Sequence, residues 1–136
     1  MYPQFQEYFK GNNVKIFLKY DGQRMDKVFT VIIVDKDNSQ AKLSSNTDNP
    51  LRVFQDFIAE LKIKVPDKLN TLYFNTFINM LNNLKKSIVS KLVFVLISEF
   101  IKDVEYSIFI QSSEINIDFM SNDLLKIIEV TEKIGK

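Results

Sequence analysis

Between Val14 and Val34 apolar side chains are spaced as in two strands joined by a turn, and that hairpin constrains the fold more than any other feature of the sequence. Val14, Ile16, Leu18 and Tyr20 alternate with Lys15, Phe17 and Lys19, which is the two-residue period of a strand. Asp21-Gly22-Gln23-Arg24 supplies turn chemistry. The run Val28 to Val34 is β-branched and apolar on both faces, so it belongs in the interior of a sheet. An antiparallel hairpin over 14–20 and 27–35 is the predicted result.

Helical spacing takes over after residue 50. Asn49 is placed to cap, Pro50 suits the first helical position, and Leu51, Phe54, Ile58 and Leu61 form an apolar stripe with Val53 and Phe57 beside it. This predicts a helix over 50–62. Pro66 ends that segment, and Asp67 is placed to cap a second helix over 67–85 with Leu69, Tyr73, Phe77, Met80, Leu81 and Leu84 on one side. The stretch 87–102 fits two patterns. Val89, Val93, Ile97, Phe100 and Ile101 suit a helix face, whereas Leu92 to Ile97 suits a buried strand; length and the lack of Gly or Pro before it favour the helix. Residues 105–111 and 114–119 alternate across Ser112-Ser113 and predict a second hairpin, followed by a helix over 121–134 capped by Ser121-Asn122-Asp123. Tyr2, Phe5, Tyr8 and Phe9 predict a short amphipathic helix over 3–10, ended by Gly11-Asn12-Asn13, and Asp37 to Pro50 reads as an irregular polar loop. The expected architecture is one α+β domain spanning 1–136. An antiparallel sheet from the hairpins 14–20/27–35 and 105–111/114–119 packs against helices 50–62, 67–85, 87–102 and 121–134.

Composition narrows the chemistry. A chain of 136 residues, 46% hydrophobic and 26% charged, is large enough to bury a core without a metal or disulfide. It has no Cys, which fits a reducing compartment, and a cytoplasmic location is expected. The start of the chain lacks the basic residues and apolar run of a secretory signal. Its unbroken apolar run Leu92 to Ile97 is six residues long, against roughly 20 for a membrane helix. No membrane segment is expected.

His is also absent, which removes imidazole as base, nucleophile partner or metal ligand. Gly occurs only at 11, 22 and 135, so no phosphate-binding glycine loop can be assembled. Carboxylates, Ser and Lys remain, and nothing selects a catalytic set among them. The expectation is a non-enzyme without cofactor or small-molecule substrate. Asp35-Lys36-Asp37-Asn38-Ser39 opens like a calcium loop, but Gln40 stands where the turn glycine belongs and Asn46 where the closing Glu belongs. Solvated carboxylates at a strand exit are the simpler reading.

Two patterns point to macromolecular partners. From Asp103 to Glu132 there are seven acids and one base, Lys126, so this segment carries six net negative charges in a chain of net +1. Such a segment can be a solvated face, or it can steer onto a basic partner. In the second case Glu105, Glu114, Asp118 and Asp123 are the expected ion-pairing acids, with Tyr106 and Phe119 as exposed aromatic anchors. The other pattern is Lys15, Phe17 and Lys19 on one strand face, the residue types with which a strand holds phosphates and stacks a base. Phe17 lying under the N-terminal helix with solvated lysines beside it explains the same spacing, and no RNA-recognition consensus accompanies it.

Lys19-Tyr20-Asp21-Gly22-Gln23-Arg24 leading into Val28 to Val34, followed by Asn46-Thr47-Asp48-Asn49-Pro50 at a helix start, resembles small α+β immunity proteins of bacterial polymorphic-toxin and contact-dependent growth-inhibition systems. The resemblance covers residues 14–62. It implies a cytosolic protein that binds a cognate toxin tightly and blocks its active site or a nearby surface. Many such toxins are nucleases with basic clefts, which suits the acidic segment. The leading expectation is therefore an immunity protein with a basic protein toxin as partner. The alternative is a small nucleic-acid-binding module using Lys15, Phe17 and Lys19.

Overall fold

In the computed structural model, which describes residues 14–35, 40–62, 64–88, 90–100 and 104–135, six antiparallel strands form one sheet. The strands are β1 (Val14–Asp21), β2 (Phe29–Asp35), β3 (Gln40–Thr47), β4 (Val93–Phe100), β5 (Val104–Gln111) and β6 (Asn116–Ser121). Their spatial order is β3-β2-β1-β4-β5-β6, so two three-stranded meanders meet where β1 pairs with β4. Three helices complete the described fold: α1 (Pro50–Glu60), α2 (Asp67–Lys85) and α3 (Leu124–Ile134). The helix expected over 3–10 lies outside the described residues.

The first hairpin forms as its alternation requires. Ile16 stands opposite Ile33 and Leu18 opposite Val31, all four fully buried on one face. The C-terminal hairpin also forms, and Ser112 shapes its turn: its Oγ accepts hydrogen bonds from the Glu114 and Ile115 amides. Asn49 caps α1, with its Oδ1 accepting from the Arg52 amide at 3.4 Å. Asp67 does not cap α2. Pro66 occupies that position and Asp67 is the first helical residue, where its charge complements the positive end of the helix dipole.

Two expectations are corrected. The 87–102 stretch is not a helix, since residues 93–100 form β4 at the centre of the sheet. Leu92, Phe94, Leu96 and Ser98 point inward and Val93, Val95, Ile97 and Glu99 outward, and apolar residues on both faces erase the two-residue period that would mark a strand. The Asp37 to Pro50 segment is not wholly irregular either, because residues 40–47 form edge strand β3. An edge strand needs backbone partners on one side only, so Ser44, Ser45 and Asn46 are tolerated where an interior strand would carry apolar side chains. Its pairing slips between Ile33 and Val34, a β-bulge that leaves Lys42 without an opposite residue.

The helices pack into a single apolar core with one face of the sheet. That core joins Ile16, Leu18, Val31, Phe94, Leu96 and Ile108 to Phe54, Phe77, Met80 and Ile127. Rings connect the layers: Phe77 stacks on Phe94 with centroids 5.3 Å apart, and Phe54 stacks on Tyr73 at 5.5 Å. Tyr73 hydroxyl and Ser98 Oγ share a buried hydrogen bond, which satisfies the polar group that β4 turns into the core.

Phe54→Ala should destabilise the protein by about 3–5 kcal/mol, from lost burial plus a cavity, read from urea unfolding midpoints. A change of roughly 1 kcal/mol or less, the scale of a surface substitution, would mean that the α1 stripe is not core.

Burial raises the phenols of Tyr73 and Tyr106 well above their ordinary range; for Tyr73 the Ser98 hydrogen bond acts in the opposite direction and neighbouring Tyr106 adds to the rise. Both groups therefore stay neutral in the fold at a pH where they ionise in the unfolded chain. Their contribution to stability is present in full below the unfolded phenol value of about 10 and is lost as pH climbs past it. Unfolding midpoints should fall above that pH, and the decline should be shallower in Tyr73→Phe and Tyr106→Phe. An unchanged slope in both variants would contradict this account.

Candidate protein-docking surface

Strand alternation gives the sheet a second face, opposite the helices. Phe17 of β1, Ile32 and Val34 of β2, Val93, Val95 and Ile97 of β4 and Phe109 of β5 all project there and are half-exposed. None of them belongs to the core cluster or packs against it. Strand register makes the patch continuous: Phe17 lies opposite Ile32 on one side and Ile97 on the other, and Val95 lies opposite Phe109. Met120 of β6 extends it to the sheet edge and is 58% exposed. No described helix covers this outer face.

Charged groups border the patch, and most are paired. Lys15 Nζ lies 3.7 Å from Glu99 Oε2 across the β1–β4 boundary and 5.2 Å from the Phe17 ring centroid. Lys19 Nζ is 3.8 Å from Asp21 Oδ2. Arg24 Nε is 3.5 Å from the same oxygen, an ion pair by distance that lacks the alignment of a hydrogen bond. The guanidinium also reaches over the face, where Arg24 Nη2 donates to Thr30 Oγ1 at 2.7 Å and Thr30 Oγ1 donates to Asn46 Oδ1 at 2.7 Å. This strap buries Thr30 and closes the polar end of the outer face.

The acids singled out in the sequence are divided among different surroundings. Asp118 is exposed on the outer face of β6, opposite Phe109 in the register. Glu105 pairs with Glu99 in the β4–β5 register. Glu114 does not share the outer face. It lies in the turn before β6, and its Oε1 accepts a hydrogen bond from the Ser90 amide at 2.9 Å, tying the turn to the chain entering β4. Asp123 is the N-cap of α3, its Oδ1 accepting from the Leu125 amide at 3.0 Å.

Neither aromatic expected as an exposed anchor is one. Tyr106 is 2% exposed and belongs to the core beside Ser98. Phe119 is half-buried and packs against the core from the inner face of β6. Ser107 and Phe109 share the outer face, as do Asp118 and Met120, so alternation turns Tyr106 and Phe119 inward. The apolar side chains that do project from the outer face include Phe17, Ile97, Phe109 and Met120. For Ile97 the signal is present in the sequence, because β4 is apolar on both faces.

The three residues proposed for nucleic-acid contact, Lys15, Phe17 and Lys19, do lie together on the outer face, but both lysines already face carboxylates. Among the described residues no group of three or more acids is placed to hold a metal ion, and no described helix is long and apolar enough to cross a membrane. Comparison with protein-family models, curated proteins and solved structures finds no match to this chain.

Proposed function

We propose that this chain is an immunity-type protein that binds a cognate bacterial toxin in the cytoplasm and neutralises it by protein–protein contact. The observation that carries the reading is the outer face of the sheet. Half-exposed apolar side chains there form a continuous patch outside the core cluster. Contiguous exposed apolar surface on a folded domain marks a site of association. The patch is centred on β1 and β4 and bordered by ion pairs, which suits an interface with an apolar centre and a polar rim. The paired state of Lys15 and Lys19 favours a protein over a nucleic acid, whose phosphates would need those cations free.

Co-expression tests the reading. The polypeptide encoded directly upstream, expressed alone, should arrest growth of the host, and co-expression of this chain should restore growth. Isothermal titration of the two purified proteins should give nanomolar affinity, in the range of specific protein pairs. If the upstream polypeptide is toxic and this chain neither binds it nor protects, the reading fails.

A further inference from the structure

The outer face is electrostatically lopsided, and that asymmetry says what it binds. On the β1–β2 side the described cations Lys15, Lys19 and Arg24 each lie within ion-pair distance of an acid of the same chain. On the β5–β6 side Gln111, Asn116 and Asp118 are exposed with no described cation among them. Asp118, between Phe109 and Met120, has no ion pair among the described residues.

Resting on the immunity reading, we propose that the toxin docks on the β4–β6 half of the outer face. It would bury Ile97, Phe109 and Met120 under an apolar surface and place a Lys or Arg against Asp118. Three observations support this occupant. The apolar side chains are outside the core cluster, so a partner can cover them without disturbing the fold. Asp118 is uncompensated, so a basic residue brought beside it gains attraction in a site that the surrounding apolar contact dehydrates. A second copy of this chain paired through the same face is the poorer occupant, because Lys15, Lys19 and Arg24 there already lie against acids of their own chain.

The roles of the two kinds of residue separate kinetically. Loss of an apolar anchor speeds dissociation, whereas reversal of a rim charge chiefly slows association and changes its salt dependence.

The test uses the full chain, the upstream-encoded polypeptide as probe, and three variants with wild-type circular dichroism: Phe109→Ala, Asp118→Lys and the helix-face control Glu129→Lys. Phe109→Ala should weaken binding by about a hundredfold, mostly through dissociation. Asp118→Lys should slow association by about tenfold at low salt, with the difference shrinking at high salt. Glu129→Lys should bind like wild type. If Phe109→Ala fails to fold, Met120→Ser at its exposed edge position replaces it. Wild-type binding that survives both the Phe109 (or Met120) and Asp118 changes would overturn the footprint and leave the immunity reading standing. No wild-type binding would overturn that reading and the footprint with it. A dimer in sedimentation equilibrium that Phe109→Ala dissociates would make a second copy the occupant and overturn the proposal.

Discussion

The pairing of β1 with β4 holds the molecule together. Eight consecutive residue pairs, from Val14 opposite Phe100 to Asp21 opposite Val93, join the two meanders into one sheet. Separately, each meander is a three-stranded sheet with half an apolar face. Once joined, Ile16, Leu18, Leu96 and Ile108 form a surface broad enough to receive α1, α2 and α3. The joint is long-range in sequence and costs loop-closure entropy before its contacts form, so folding should be limited by it. Gly22 secures one end. Its amide donates to the Leu92 carbonyl at 2.8 Å, and a Cβ at this position would approach that same oxygen to 2.8 Å. A side chain at Gly22 would push the β1–β2 turn off the chain entering β4.

That geometry closes one face of the sheet and leaves the other without a described helix over it. All three described helices contribute to a single core with the inner face. The outer face keeps its β-branched and aromatic residues, which satisfy strand propensity and cross-strand packing but remain accessible. The same central strands thus serve two purposes. Their inward residues supply stability, and in the proposed function their outward residues form a docking platform built on strands rather than loops. A platform of this kind spares a binding protein the entropy of ordering its interface.

How much of this was legible in the sequence follows from where period and polarity are unambiguous. The hairpin at β1 and β2, the Asn49-Pro50 helix start and the 67–85 helix could be read because their patterns involve one buried face and definite stop signals. β4 was missed because a central strand with apolar residues on both sides has no period to detect, and its length allowed a helix. β3 was missed because an edge strand can consist of Ser, Asn and Gln. The acidic segment was visible as a charge count, yet its division between the outer face, a turn and a helix cap was not, since charge counts carry no register. Tyr106 and Phe119 were expected at the surface because they are aromatic residues within the acidic segment. Their burial depends on which face the helices cover, and that is decided by tertiary packing.

The central claim is that the described helices close one face of the sheet and that the other is accessible to a partner. Paramagnetic relaxation of isoleucine δ1 methyls by a soluble gadolinium chelate tests it most directly. Ile32 and Ile97 on the outer face should relax strongly, while Ile16, Ile33, Ile108 and Ile110 on the inner face should be nearly unaffected. Equal protection of the two sets in the isolated protein would show that the outer face is covered from within the chain, and would contradict its role as a docking surface.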